Sequence, residues 1–170
     1  FGVVYQGYYG DAAVTVGVGE VAPKHQKLME VTREALWRGI AQARAGNRLS
    51  AISRAIQNHV EANGFSVVRD FVGHGIGQEM HEEPQVPNYV SPLYRYDPVL
   101  KPGMTLAVEP MVNAGAYQVK INPTDQWTVT TVDGSYSAHF EHTVLVTEED
   151  PEILTRVTDD QGENGGMIIW

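Results

Sequence analysis

The residues of this sequence best suited to chemistry are carboxylates and histidines set among glycines and apolar residues. Residues 73–77 read Gly-His-Gly-Ile-Gly, and glycines around His74 let a ligand approach the main chain closely. Glu109 and Glu141 stand in otherwise apolar segments, where an unpaired carboxylate is costly unless it is protonated, ion-paired or bound to metal. For either glutamate alone, an exposed strand position explains it equally well. That explanation weakens when Asp11 and His74 are considered with them.

The glycine-rich segment does not fit three common motifs. No Gly-Lys-Ser/Thr follows it, as in a phosphate-binding loop, and its spacing is not that of the three dinucleotide-binding glycines. His81 and Glu82 do not begin a zinc-protease helix, because Gln85 stands where the second histidine is required. Pro84 would also disrupt such a helix. Phosphate binding and that type of zinc helix are therefore not supported.

Two helices are predicted to support the strands that carry these side chains. Apolar residues spaced by three and four predict a helix from Pro23 to about residue 45, with Gly46 beyond its end. The same spacing predicts a second helix over about 50–62, which Gly64 stops.

Short strands account for most of the remaining pattern. Segments 3–5 and 12–16 predict a hairpin or bulged pair, with Asp11 at the exit of the turn. Further strands are predicted at about 65–68, 104–109, 127–132 and 138–147. Asp133 and Gly134 predict a hairpin turn between the last two. Residues 73–102 are predicted to form a long irregular loop, a kind of segment that often carries function.

Composition excludes several classes of protein and partner. The 170 residues are enough for one domain, and the 42% hydrophobic content includes no run long enough to cross a bilayer. There is no cysteine, so a metal would have to be held by nitrogen and oxygen. The net charge of -9, with only 12 scattered basic residues, argues against direct nucleic-acid binding. We therefore expect neither a membrane nor a nucleic acid as partner.

Four further motifs lie along the chain and carry a resemblance to a known family. They are Gly-Tyr-Tyr-Gly-Asp at 7–11, Met-His-Glu-Glu-Pro-Gln-Val-Pro-Asn-Tyr at 80–89, Leu-Lys-Pro-Gly-Met at 100–104 and Phe-Glu-His-Thr at 140–143. With the glycine-rich segment, they resemble the type I methionine aminopeptidases of metallopeptidase family M24 over nearly the whole chain. The glycine-rich segment at 73–77 followed by the motif at 80–89 distinguishes these from prolidases and Xaa-Pro aminopeptidases, which share the fold and ligand types.

The resemblance implies an α/β (α+β) pita-bread fold, with curved antiparallel sheets and outer helices, incomplete at the amino terminus. Residues 1–150 would form the carboxy-terminal portion of the catalytic domain, and residues 151–170 a tail of uncertain structure. In the family pattern, a first Asp ligand lies on the strand before the hairpin that begins here, so it would fall before Phe1.

The resemblance also implies a metal centre and its ligands. Asp11 and Glu141 would bridge two metals, and His74 and Glu109 would complete the shell of one of them. The complete enzyme would hold two divalent ions, for which Mn, Fe, Co and Zn all suit the donor set. This chain would hold one, because the other ion lacks the first Asp, and its activity would be impaired for the same reason. A water bridging two such ions is activated as a nucleophile.

Three further residues match positions that contact substrate in the family. His81 would bind the substrate and stabilise the developing oxyanion as a catalytic residue, although a lone histidine is more often structural. Met80 and Trp127 would line the pocket for the methionine side chain, although either alone would more often be a core residue.

These implications predict an enzyme that releases amino-terminal methionine from nascent polypeptides. Its partners would be nascent amino termini and the ribosome, and its location the cytoplasm. Two alternatives stay open: a non-catalytic pita-bread binding module and an Xaa-Pro aminopeptidase. Four potential ligands and His81 favour the enzyme, because a binding module has no need of converging buried carboxylates.

Overall fold

The computed structural model describes residues 1–92 and 96–156, which form an α/β structure. Its helices are α1 Pro23–Ile40 and α2 Ser50–Ala62. Its strands are β1 Gly2–Tyr5, β2 Tyr8–Ala13, β3 Ser66–Val67, β4 Gly73–Gly75, β5 Glu82–Val86, β6 Thr105–Val108, β7 Met111–Asn113, β8 Val119–Ile121, β9 Val129–Thr131, β10 Ser137–His139, β11 Glu141–Leu145 and β12 Glu152–Ile153.

Within the described residues, the strands form three antiparallel sheets. The largest has the order β1-β2-β11-β6-β4-β5, and β12 adds to β11 beside the end of β2. A smaller sheet has the order β10-β7-β3, and β8 pairs with β9 in a separate hairpin. Strands from both ends of the sequence therefore meet in the centre of the main sheet.

The two helices pack on each other and α1 also contacts the sheets through β6, β7 and β10. Leu28, Leu36 and Ile40 lie along the buried face of α1, and Ile52 and Ile56 along that of α2. The helices approach closely at a glycine: a Cβ on Gly39 would lie 2.8 Å from the Ile56 side chain. This apolar layer supports the sheet that carries the acidic and histidine side chains.

The structure confirms α2 as predicted and shortens α1, which ends at Ile40 rather than near residue 45. Ala43 is nevertheless fully buried. The apolar spacing continued past the helix because the chain stays in the core after it leaves helical geometry.

Three predictions about strands are wrong. Asp11 lies inside β2 and not at the exit of a turn, because the turn is made by Gln6 and Gly7, which both have positive φ. The predicted loop over 73–102 contains β4 and β5. The segments on either side of Asp133 do not pair as a hairpin, since β9 pairs with β8 and β10 with β7.

The segment after residue 150 is described only in part. β12 pairs with Val144 and Leu145 of β11, and residues 157–170 of the predicted tail lie outside the described residues. A search of the described residues finds no helix with the length and apolar character to cross a membrane.

Candidate metal centre

Asp11 is held in the sheet between two strands from opposite ends of the sequence. It lies opposite Gly2 in the β1–β2 pair, and β2 pairs on its other side with β11, where Ala13 lies opposite Glu141. The backbone N–H of Tyr9 donates to the carbonyl of Gly77 at 2.8 Å, which joins β2 to the glycine-rich segment. The side chain of Asp11 is buried.

His74 occupies a short strand that only glycine-flanked backbone can form here. A Cβ on Gly75 would collide with the backbone carbonyl oxygen of Glu83 in β5, and the β4–β5 register shifts at this point. His74 Nδ1 lies 2.9 Å from the carbonyl oxygen of Gly75. Because a carbonyl oxygen can only accept, Nδ1 carries the proton and Nε2 presents a lone pair. His74 Nε2 is therefore prepared to bind a cation.

The four predicted ligands come together in space. Asp11, His74 and Glu141 each offer one ligand atom, and these atoms all lie within 4.8 Å of one another. Glu109 follows β6, and its Oε1 is 3.4 Å from His74 Nε2. Four side chains from distant parts of the sequence therefore converge. Each of them lies on a different strand or directly after one.

Burial and nearby carboxylates make the charge of Glu141 costly. Its side chain is only 4% exposed, and Oε1 has no hydrogen-bond partner among the described residues. Burial, and then the charges of Glu109 and Asp11, raise the pKa of Glu141 to about 8. A bound cation would reverse this effect by stabilising the ionised carboxylate. The donor set therefore fits a divalent metal.

The predicted substrate-contacting residues differ in how the structure places them. The rings of His81 and His74 meet edge to face, with centroids 4.4 Å apart. Met80 borders the same region: a Cβ on Gly2 would lie 2.8 Å from Met80 Cε and 3.9 Å from Asp11 Oδ1. Trp127, just before β9, is 85% exposed, so the described residues do not enclose it in a pocket.

One histidine beside the cluster was missed by the sequence analysis. His139, at the end of β10, has Nε2 3.4 Å from Glu109 Oε2. Glu109, His139 and Glu141 form a second group whose ligand atoms lie within 4.8 Å of one another. The position of His139 two residues before Glu141 was the available signal in the sequence, because alternate residues share one side of an extended chain.

Antiparallel sheets and packed helices define a pita-bread protein, and its carboxylate and histidine cluster could hold a metal ion. The chain belongs to metallopeptidase family M24, which it matches over residues 1–148. Membership of this family implies divalent metal ions.

Individual relatives support the same assignment. The chain is 54% identical to methionine aminopeptidase 1 of Bacillus subtilis, covering 92% of this chain and 62% of that protein. It is 53% identical to a methionine aminopeptidase of Clostridium perfringens, covering 92% of this chain and 61% of that one. The chain thus spans about three-fifths of the length of these curated relatives.

Solved structures show the same fold. The methionine aminopeptidase of Thermotoga maritima superposes with a TM-score of 0.86 at 54% identity, covering 91% of this chain and 61% of that one. An Xaa-Pro dipeptidase from Bacillus anthracis gives a TM-score of 0.70 at 27% identity, covering 92% of this chain and 38% of that one. The chain is therefore much more similar to the aminopeptidase than to the dipeptidase.

Proposed function

We propose that this chain supplies the metal centre of an enzyme that removes amino-terminal methionine from new polypeptides by hydrolysis of the first peptide bond. The convergence of Asp11, His74 and Glu141 ligand atoms within 4.8 Å carries the proposal, because buried carboxylates around an imidazole are costly without a cation. The specificity for methionine rests on the similarity to methionine aminopeptidases at 54% and 53% identity. The Xaa-Pro alternative has weaker support, since the dipeptidase match is 27% identical.

The four carboxylate and histidine residues of the cluster would serve peptide hydrolysis as metal ligands. Asp11, His74, Glu109 and Glu141 would hold divalent ions. When bound, such ions supply an activated water and polarise the scissile carbonyl. Sequence and geometry leave Mn, Fe, Co and Zn as suitable metals, because the donors are hard oxygens with imidazole.

His81 would assist the reaction from outside the ligand set. Its exposed imidazole packs edge to face on His74, next to the cluster. An imidazole N–H there would donate a hydrogen bond to the carbonyl oxygen as negative charge develops on it. Met80 lies at the same site, where its soft side chain suits contact with a thioether.

The proposed substrate is the free amino terminus of a newly made polypeptide, including one still on the ribosome, and the proposed location is the cytoplasm. Cleavage of Met-Ala-Ser and of an Xaa-Pro peptide, each with Mn(II) or Co(II), tests the specificity. We expect release of methionine from the first peptide only. Glu141→Gln should abolish this release, and Glu152→Gln, which alters an exposed strand glutamate, should retain it. Cleavage of the Xaa-Pro peptide alone would overturn the proposal.

A further inference from the structure

Asn88 is a fully buried amide that contacts the backbone of a predicted metal ligand. It lies two residues after β5 and is 0% exposed. Its side-chain nitrogen donates to the carbonyl oxygen of Glu109 at 3.0 Å. Because a carbonyl oxygen can only accept a hydrogen bond, this contact determines which end of the amide faces Glu109. Loss of the bond would leave a buried carbonyl without this partner, which is costly.

The hydrogen bond joins two strands that β4 separates in the main sheet. The order of strands there is β6-β4-β5, and β4 begins at Gly73, opposite Val86 of β5. Glu109 follows directly after β6 and Asn88 follows β5, so both lie at the end of the sheet where β4 begins. The side chain of Asn88 therefore reaches Glu109 past the first residue of β4.

The position of Glu109 explains why its backbone needs such a contact. The residue lies between β6 and β7, which belong to different sheets, and Pro110 after it has no backbone N–H. Its carboxylate lies between two imidazoles: Oε1 is 3.4 Å from His74 Nε2, and Oε2 is 3.4 Å from His139 Nε2. A shift of the Glu109 backbone would therefore change the positions of both oxygens relative to these nitrogens.

The segment that carries Asn88 is anchored to a helix and not to the acidic and histidine cluster. The N–H of Val90 donates to Gln57 Oε1 on α2 at 2.8 Å, and Gln57 Nε2 donates to Glu61 Oε1 at 2.8 Å. These bonds orient the amide of Gln57 and hold the segment after β5 against α2. Asn88 thus connects the cluster to the helical layer.

We propose that Asn88 is a positioning residue of the metal centre, which fixes the backbone of Glu109 and so places its carboxylate for cation binding. This inference deepens the proposed function and rests on it, because the position of the carboxylate matters only if a metal binds. Asn88 is not itself a ligand and acts through Glu109. Groups that support a ligand in this way typically contribute about 10–100-fold to metal affinity.

Calorimetric titration of the chelator-treated chain with Co(II) tests this role. Asn88→Leu, which removes the amide and keeps a similar volume, should weaken Co(II) binding about 10–100-fold. Asn113→Leu is the matched control, because Asn113 is also 0% exposed and its side-chain nitrogen donates to the carbonyl of Ala116 at 2.9 Å. It should lose stability and retain Co(II) affinity. Unchanged affinity in Asn88→Leu, or equal weakening in both variants, would overturn the proposal.

Two further measurements separate positioning from a general effect on folding. The visible absorption spectrum of bound Co(II) should change in Asn88→Leu and not in Asn113→Leu, because the spectrum depends on the geometry of the ligands. In the unmodified chain, diamagnetic Zn(II) should slow hydrogen exchange of the Asn88 side-chain amide more than that of Asn113, because coupling between two sites is reciprocal. Equal effects on the two amides would contradict the role of Asn88, even if Asn88→Leu does not fold.

Failure of this inference can be distinguished from failure of the proposed metal centre. An unmodified chain that binds no Co(II) would overturn the metal centre, and the role of Asn88 with it. A chain that binds Co(II) with an affinity independent of Asn88 would overturn the role of Asn88 alone. Neither result depends on peptide cleavage.

Discussion

Asp11 and Thr143, 132 residues apart in sequence, exchange a pair of hydrogen bonds. The N–H of Asp11 donates to Thr143 Oγ1 at 2.9 Å, and the same hydroxyl donates to the carbonyl of Asp11 at 2.9 Å. Both residues are buried. One hydroxyl therefore satisfies both backbone groups of a predicted metal ligand and fixes β2 against β11.

Replacement of Thr143 should weaken both the fold and metal binding. Thr143→Val keeps the shape but leaves two buried backbone groups of Asp11 without partners, at a cost of about 1–3 kcal/mol for a group left unsatisfied. Because two groups lose their partner, we expect the free energy of unfolding to fall by at least that amount in a denaturant titration, with weaker Co(II) binding by calorimetry. Thr143→Ser, which retains the hydroxyl, should keep most of both properties. Equal loss in the two variants would contradict this role of the hydroxyl.

The buried carboxyl of Glu141 should make the metal-free chain less stable as pH rises. Its pKa in the fold, raised to about 8 by burial and neighbouring carboxylates, exceeds its ordinary value of 4.5. The folded chain therefore favours the protonated carboxyl of Glu141. The resulting contribution to the free energy of unfolding is fully present below about pH 4.5 and is lost as pH rises towards about 8. Unfolding free energies measured in chelator across this range should fall with pH.

Glu141→Gln separates this effect from those of other groups. Glutamine resembles the neutral carboxyl and does not titrate, so the difference in unfolding free energy between the two proteins should change in favour of the variant as pH rises. A difference that is constant from pH 5 to pH 8 would show that Glu141 titrates normally. In the presence of saturating metal, the native chain should regain the advantage, because the cation stabilises the ionised carboxylate.

The helices could be predicted from sequence better than the strands, for a physical reason. Ile52, Ile56 and Val60 repeat with the helical period, and Gly64 marks the end of that pattern. β4 has no such internal signal, because it is a three-residue strand with glycine at both ends. It forms because its neighbours β5 and β6 provide hydrogen bonds and leave no space for side chains at Gly73 and Gly75.

The candidate site also contains residues that the sequence indicated and one residue that it did not. Asp11, His74, Glu109 and Glu141 were found through motifs that resemble a known family, and the structure brings them together. The position of His139 two residues before Glu141 was a local signal, but the sequence does not show that Phe140 separates β10 and β11, which lie in different sheets. Nor does it show that the side chains of His139 and Glu141 both come close to Glu109. Convergence of this kind depends on tertiary structure, which local periodicity does not contain.

Asp97 should stabilise α2 from outside the helix. Its two carboxylate oxygens accept from the N–H of Ser50 at 2.8 Å and from the Ser50 hydroxyl at 2.9 Å, while Leu49 at the N-cap offers no side-chain cap. Asp97→Ala should lower the unfolding free energy by about 1 kcal/mol, as for loss of a helix cap. Chemical denaturation measures this, with Asp97→Asn expected to lose less. Metal affinity should not change, and a change in it would show that α2 is coupled to the cluster.

Hydrogen bonds to the carboxylate of Asp125 order the backbone before β9. The pKa of Asp125 reports on these hydrogen bonds. The hydroxyl of Thr128 donates to Asp125 at 2.6 Å, and the backbone N–H groups of Trp127 and Thr128 each donate to it at 3.0 Å. These bonds, led by that of the hydroxyl, lower the pKa of Asp125 below its ordinary value. Their stabilisation is present above the ordinary pKa and is lost as pH falls through the lowered one.

Thr128→Val should raise the pKa of Asp125 towards its ordinary value, because it removes the strongest of these hydrogen bonds. Carboxyl ¹³C titration by NMR measures the pKa directly, and Thr130→Val in β9 is a control for the same change at an exposed strand position. The indole resonances of Trp127 should also broaden or shift in Thr128→Val if the turn holds this residue in place. A pKa that is identical in all three proteins would show that the hydroxyl bond does not form in solution.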